Sequence, residues 1–219
     1  PLSSLATTPA EFCVKIGGRR RLIIALTLLG LMAGCQSYQQ REMSRDEYER
    51  ALREQRVGKT DDAIDALRWS TQTNPDFVPA HTLLGDLYKQ QGDYDKASEQ
   101  YAAATRLEPT VATHWYNLAL MDQLIGHLHD AADSYLQALR LTPKDSAANM
   151  NLGLVYLSLG DTTNAIAYIR KATDADPKSI KAWTNLGVAL DTAGQYPAAE
   201  NGYRKSLELD GDKLPVLAN

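Results

Sequence analysis

Four prolines recur along this chain at a fixed interval of 34 residues, and this period restricts the possible folds more than any other feature of the sequence. They are Pro75, Pro109, Pro143 and Pro177. A period of about 20 to 50 residues is typical of arrays in which each repeat buries its apolar face against its neighbours. On this period the chain divides into five units, which are residues 44–77, 78–111, 112–145, 146–179 and 180–213.

Small and bulky residues return at fixed places within the last four units. The eighth, twentieth and twenty-seventh places are small, as in Ala119, Ala131 and Ala138. The fourth, seventh and twenty-fourth places are bulky, as in Trp115, Leu118 and Tyr135. Small side chains allow two helices to approach closely, whereas bulky ones interlock between helix pairs. The pattern therefore predicts two packed helices in each unit.

Proline and glycine mark the ends of these predicted helices. Each proline ends a second helix, because its ring removes an N–H donor and moves the preceding residue out of the helical conformation. One glycine per unit marks the turn between the two helices. These glycines are Gly92, Gly126, Gly160 and Gly194.

The pattern resembles the tetratricopeptide repeat, a 34-residue unit of helix, turn and helix. Of the 32 signature places in the four units from Val78 to Gly211, 28 hold a residue of the expected type. The departures are His81, Asp122, Asn149 and Gly211. The resemblance implies an all-α fold, a right-handed α-solenoid of stacked helix-turn-helix hairpins, in which the first helices line a concave groove.

The two ends of the array differ from its middle. In the first unit Glu47, Arg50 and Glu54 occupy places that hold bulky apolar residues elsewhere. End repeats need a polar outer face, so this unit is predicted to be a cap. Residues 214–219 match the start of a sixth unit that is truncated at Asn219. Two interpretations of this end stay open: the natural chain continues, or a half-helix ends it.

The segment 14–34 has the features of a secretory signal peptide. Three arginines precede an apolar run from Leu22 to Gly34, and small residues follow. This run has 13 residues, whereas a helix needs about 20 to span a membrane. Residues 1–13 resemble no part of a signal peptide and are left unassigned, as a candidate upstream artefact.

The residues at the end of this segment, Met32-Ala33-Gly34-Cys35, resemble the lipobox of bacterial lipoproteins. In that family the cysteine is acylated and becomes the first residue of the mature chain. The resemblance implies a lipidated Cys35 and a polar tether in residues 35–43. A cleaved signal without a lipid and an uncleaved anchor are the alternatives.

The residue after the predicted lipid site bears on localisation. Gln36 stands there, rather than the aspartate that retains many Gram-negative lipoproteins at the inner membrane. The resemblance thus implies a lipid-anchored protein of the bacterial cell envelope, at the outer membrane and facing the periplasm. A third hypothesis takes the apolar N-terminus for mistranslated sequence and leaves the protein soluble in the cytoplasm.

Composition restricts the classes of partner. The chain has two cysteines, Cys13 and Cys35, so the predicted mature chain has no pair that could form a disulfide. Loss of residues 1–34 removes four of 23 basic residues and one of 27 acidic residues, which leaves a net charge of about −7. An acidic chain lacks the basic surface that nucleic-acid binding requires.

Asparagine recurs at the sixth place of three successive units, on helices expected to line the groove. These residues are Asn117, Asn151 and Asn185, and Asn219 would extend the row. Asparagine is a poor helix former, and its carboxamide can both donate to and accept from an extended peptide backbone. A similar asparagine ladder lines the repeat arm of O-GlcNAc transferases, where it holds peptide main chain. Alternatively, asparagine is simply common at this place and binds nothing.

Further groove candidates come from the second, fifth, ninth and twelfth places of the three units from residue 112. They are mixed and partly apolar, which suits a protein or extended peptide better than a sugar or a phosphate. These candidates are Thr113, Tyr116, Leu120, Gln123, Ala147, Met150, Leu154, Leu157, Lys181, Thr184, Val188 and Asp191.

No catalytic motif is found. The sequence has no glycine-rich phosphate loop, no spaced metal ligands and no serine-centred elbow, and no cofactor is expected. His127 and His129 are assigned to a turn between helices, and His81 and His114 to packing or rim positions. We therefore expect a non-enzymatic, membrane-tethered scaffold or adaptor for cell-envelope assembly. The alternative is the N-terminal substrate-recognition arm of a larger enzyme, such as a peptide O-glycosyltransferase, truncated here.

Overall fold

The computed structural model describes residues 18–211, with side chains from residue 37 onward. This part of the chain forms ten α-helices and no strand. They are α1 (Gly18–Arg56), α2 (Thr60–Thr73), α3 (Val78–Gln91), α4 (Tyr94–Leu107), α5 (Ala112–Ile125), α6 (Leu128–Leu141), α7 (Ser146–Ser158), α8 (Thr162–Ala175), α9 (Ile180–Thr192) and α10 (Tyr196–Gly211). The chain divides into two compact units, one ending at Pro75 and the other beginning at Asp76.

Helices α1 and α2 pack against each other in the first unit. Ser44 and Ser70 are buried between them and bond reciprocally, because each hydroxyl donates to the carbonyl oxygen of the other residue, over 3.1 and 2.7 Å. Residues 35–43, the predicted polar tether, lie inside α1. The side chain of Cys35, residues 1–17 and the sixth-unit segment 214–219 lie outside the described residues.

Helices α3 to α10 form four helix hairpins in the second unit. Each first helix packs against the second helix of its own hairpin. The second helices α4, α6 and α8 each also pack against the first helix of the next hairpin. This arrangement is a stack of hairpins, and it confirms the predicted all-α solenoid of tetratricopeptide type. Each first helix begins at the first residue of a predicted repeat, namely at Val78, Ala112, Ser146 and Ile180.

The predicted turn glycines adopt the left-handed conformation. Gly92 and Gly126 end α3 and α5 with φ of 78° and 87°, which is a conformation that only glycine adopts without strain. Gly160 and Gly194 have positive φ as well. The helices before the prolines end two residues earlier, at Thr73, Leu107, Leu141 and Ala175. The assignment of glycine and proline to helix ends is therefore confirmed.

The helices of one hairpin approach each other closely at the small residues. A Cβ atom added to Gly187 would lie 2.6 Å from Cε1 of Tyr203, and one added to Gly153 would overlap Cγ1 of Ile169. Ile169 and the alanine at the twentieth place, Ala165, are fully buried. Small residues therefore provide the space that the bulky residue of the second helix fills.

Within the part of the chain that the structure describes, no helix combines the length and the apolar content that crossing a membrane requires.

Candidate ligand-binding groove

Three first helices, α5, α7 and α9, present one equivalent face outward. In each of them the third, seventh, eighth and tenth places are buried, because they pack against the second helices on either side. The second, fifth, sixth, ninth, twelfth and thirteenth places are half-buried or exposed in all three helices. We call the surface formed by these six places of α5, α7 and α9 the groove face.

The groove face holds every predicted groove residue that the structure describes. Its sixth places form an asparagine row of Asn117, Asn151 and Asn185. Its ninth places form an aliphatic row of Leu120, Leu154 and Val188. Tyr116, Gln123, Lys181 and Asp191 lie on the same face, at fifth, twelfth and second places. Asn219 lies outside the described residues.

The asparagine row is only partly used within the protein. Nδ2 of Asn151 donates to the phenol oxygen of Tyr116 over 3.1 Å and so joins α7 to α5 across the groove face. Asn117 and Asn185 are half-buried, and neither forms a side-chain hydrogen bond with another described residue. The three asparagines therefore differ in what they contact. Asn151 has a contact within the protein, whereas the amides of Asn117 and Asn185 remain available to a partner.

Two tyrosines hold the middle of the groove face, Tyr116 within it and Tyr135 beneath it. Tyr135 of α6 is fully buried, and its hydroxyl donates to Oε1 of Gln123 over 3.0 Å. The rings of Tyr116 and Tyr135 meet edge to face with centroids 5.7 Å apart, a favourable aromatic geometry. Burial raises the pKa of both phenols, so both are neutral near pH 7. Gln123 and Asn151 are consequently held in the middle of the face by hydrogen bonds with the two phenol hydroxyls.

Charge on the groove face is confined to α9. No charged residue occupies any of the groove-face places of α5 and α7. On α9 the charged residues are Lys181 in its first turn and Asp191 in its last turn, both exposed. On the preceding first helix, α3, Lys89 and Asp86 pair with each other over 3.0 Å. The centre of the groove face is therefore uncharged.

The histidines contribute to packing rather than to a site. Nδ1 of His81 lies 2.9 Å from Oε1 of Gln100, and Nε2 of His114 lies 3.1 Å from Oε2 of Glu108. Both rings are buried, as the sequence predicts. His127 is the residue before α6, whereas His129 lies in the first turn of α6 rather than in the loop. Among the described residues no cluster of His, Cys, Asp or Glu could hold a metal ion.

The sequence analysis missed the thirteenth place of the groove face, which holds Leu124, Ser158 and Thr192. Leu124 occupies the thirteenth place of α5 and is 51 % exposed. The signal was present in the sequence, because the thirteenth place lies three turns along from the second place and on the same side of the helix. Its apolar side chain extends the uncharged centre of the face.

Comparison with known proteins identifies the repeats. Three family models match the chain: a TPR repeat over residues 85–121, and two described as tetratricopeptide repeat over residues 125–180 and 168–201. The chain is a tetratricopeptide-repeat protein. A comparison with curated protein sequences gives no match.

Three solved structures have the same fold, and one of them is described as a TPR protein. The crystal structure of MamA protein is 26 % identical with a TM-score of 0.76, over 81 % of this chain and 97 % of that chain. The structure of YrrB, described as a TPR protein with an unusual peptide-binding site, is 18 % identical with a TM-score of 0.68, over 77 % and 87 %. The structure of Pseudomonas aeruginosa pilF is 21 % identical with a TM-score of 0.61, over 77 % of each chain.

Proposed function

We propose that this protein is a scaffold that binds an extended segment of a partner protein on the groove face. The observation that carries the proposal is a surface across α5, α7 and α9 on which amides alternate with aliphatic side chains, and whose only charged residues are Lys181 and Asp191 of α9. An extended partner segment would bond its main chain to the amides and bury its side chains on the aliphatic row. The peptide-binding site named for YrrB supports the same type of function for this fold.

We further propose that the scaffold is tethered to a bacterial membrane through Cys35, and that it works in cell-envelope assembly at the periplasmic side of the outer membrane. The sequence Met32-Ala33-Gly34-Cys35, with Gln36 after it, supports this proposal. An acyl chain contributes about 0.8 kcal/mol for each buried methylene, and more than one chain makes attachment durable. The scaffold would then be held at the bilayer while its groove face stays available.

The binding function is tested by selecting a phage-displayed library of random 12-residue peptides on the full chain. We expect enriched peptides that shift the backbone amide NMR signals of α5, α7 and α9. Val188→Arg, which places a bulky charge in the aliphatic row, should weaken their binding at least about tenfold. Leu207→Arg on α10 is the control, because Leu207 is exposed and lies off the groove face. Failure to enrich any peptide, or signal shifts confined to α6 and α8, would overturn the proposal.

The tether is tested separately by labelling cells with radioactive palmitate while they express the full chain or Cys35→Ser. We expect label only in the wild-type protein, which should sediment with outer-membrane fractions. Equal labelling of both proteins, or no labelling of either, would remove the lipid anchor from the proposal and leave groove binding untouched.

A further inference from the structure

We infer that the groove face selects an uncharged, extended segment whose apolar side chains recur at every third residue. The inference rests on the proposed binding function and adds to it the chemistry and spacing of the partner. Three properties of the face lead to it: the distance between its first helices, the lack of charge on its α5 and α7 part, and the position of its asparagine row.

The spacing of the aliphatic row sets the period of the partner. Helices α5 and α7 contact each other, as do α7 and α9, and contacting helices lie about 8–10 Å apart. Leu120, Leu154 and Val188 occupy the same place on the three helices, so they repeat at about this distance. Three residues of polyproline II conformation advance about 9.3 Å and make one full turn. Side chains at positions i, i+3 and i+6 of such a segment therefore point the same way at the spacing of the row.

Other conformations fit the row less well. In a β-strand the side chains on one side recur about every 6.8 Å, which falls between two row positions. An α-helix advances 1.5 Å per residue, so only residues six or seven apart would reach successive row positions. A seven-residue segment can therefore place one apolar side chain at each of the three positions of the aliphatic row only when its apolar residues recur at every third residue.

The charges around the groove face favour a neutral segment. The groove-face places of α5 and α7 hold no ionisable group except the neutral phenol of Tyr116. The nearby Asp145 caps α7, where its carboxylate accepts from the N–H of Ala148 over 2.8 Å. By contrast, the second helices carry exposed charges, which are Asp130, Asp133 and Arg140 on α6 and Arg170, Lys171 and Asp174 on α8. If the bound segment placed a charged side chain on the α5 and α7 part of the face, that side chain would lose water without gaining a partner of opposite charge.

The asparagine row lies where the main chain of this segment would run. The sixth and ninth places of a helix are three residues apart and neighbour each other on its surface. A segment whose side chains contact the aliphatic row therefore brings its main chain near Asn117 and Asn185. A polyproline II segment makes no internal hydrogen bonds, so its N–H and C=O groups are available to these amides.

The spacing is tested with three synthetic peptides of one composition, three leucines among serines and glutamines, blocked at both ends. One has leucine at every third residue, one at every second residue, and one at positions i, i+4 and i+7. We expect the first to bind the full chain at least about tenfold more tightly by fluorescence anisotropy. Equal binding of all three, or tighter binding of either other peptide, would overturn the inference. Such results would leave the proposed function intact, because library peptides would still bind the groove face.

The chemistry is tested by a charge exchange at Val188, which is 42 % exposed, so a longer side chain there can extend into solvent. Val188→Lys should weaken binding of the period-three peptide about tenfold or more. A peptide with glutamate in place of one terminal leucine should recover this loss on the variant but bind the wild-type protein poorly. Leu207→Lys is the matched control and should leave all affinities unchanged. The inference fails if glutamate at neither terminal position restores binding.

Discussion

Nδ2 of Asn149 donates a hydrogen bond to the carbonyl oxygen of Pro143 over 3.1 Å. The indole N–H groups of Trp115 and Trp183 make the equivalent bond to the prolines six residues before them, each over 2.9 Å. Asn149 departs from the bulky residue expected at the fourth place, yet it keeps this contact. The side chain at the fourth place therefore stabilises the turn between units by donating a hydrogen bond as well as by its size.

Replacing Asn149 by leucine should destabilise the array. Nδ2 of Asn149 also donates to the carbonyl oxygen of Asp145 over 2.8 Å, and the residue is buried. Asn149→Leu keeps the volume similar but removes both donations, so we expect the free energy of unfolding to fall by about 1–3 kcal/mol. Urea unfolding followed by circular dichroism measures this change. Asn201→Leu, at an exposed place of α10, should have almost no effect, and equal stability of Asn149→Leu and wild type would contradict the assignment.

A methyl group at Gly153 should destabilise the protein, although alanine is the better helix former. Glycine to alanine within a helix normally gains about 1 kcal/mol. Here the added Cβ would overlap Cγ1 of the buried Ile169 and lie 3.1 Å from the carbonyl oxygen of Ala165. We expect the cost of this overlap to exceed the gain in helix propensity, so that the free energy of unfolding falls by about 1–3 kcal/mol. Thermal unfolding of Gly153→Ala tests this.

Gly211 supplies the control for that measurement. It is the last residue of α10, and a Cβ added there meets no atom within 4 Å. Gly211→Ala should therefore leave the melting temperature unchanged or raise it slightly. If Gly153→Ala behaved in the same way, the two helices of that hairpin would lie farther apart than described.

The carboxyl group of Asp122 should make stability depend on pH. Asp122 is 6 % exposed, and its Oδ1 accepts from Oγ of Ser98 over 2.6 Å. Burial raises its pKa, and this outweighs the lowering by the Ser98 hydrogen bond. A carboxyl whose pKa is higher in the folded state stabilises most below the unfolded value of about 3.9, and this contribution is lost as pH rises through the raised pKa. Asp122→Asn has no carboxyl group to ionise, so the variant should not lose stability in this way as pH rises.

The measurement is urea unfolding of wild type and Asp122→Asn between about pH 3.5 and 7. The variant should gain stability relative to wild type as pH rises, since asparagine can still accept the Ser98 hydrogen bond without a charge. Asp174→Asn, at an exposed place of α8, is the control. A constant difference between Asp122→Asn and wild type across this range would show that the carboxyl does not titrate with folding.

The packing positions that recur in every unit could be predicted from the sequence, whereas contacts that occur in one place only could not. The places of Ala119, Gly153 and Tyr135 were predictable, because packing at equivalent positions imposes the same size in every unit. The bonds from Ser98 to Asp122 and from Asn151 to Tyr116 were not, because each joins neighbouring units through a pair of side chains that does not recur in the other units.

Substitutions at one repeat place should affect stability strongly in the middle of the array and weakly in the last described hairpin. Leu139 and Leu207 both occupy the twenty-eighth place, but Leu139 is 8 % exposed in the core beside Leu152, whereas Leu207 is 71 % exposed. Leu139→Ala should lower the free energy of unfolding by about 2–4 kcal/mol. Leu207→Ala should change it by less than about 0.5 kcal/mol. Urea unfolding of both variants checks the pair, and similar losses would mean that α10 is covered in solution.

The three asparagines of the row should separate stability from binding. Asn151→Ala removes the hydrogen bond to Tyr116, so we expect a loss of about 0.5–1.5 kcal/mol in the free energy of unfolding. Asn117→Ala and Asn185→Ala remove no such bond and should leave stability unchanged or slightly raised, because alanine is the better helix former. If these two amides hold a partner's main chain, the double variant should still lose affinity for library-selected peptides by about tenfold. Asn201→Ala is matched in residue type but lies on a second helix, so it should change neither quantity. Unchanged affinity of the double variant would reduce the row to a feature of the repeat and leave the aliphatic row as the part of the groove face that binds.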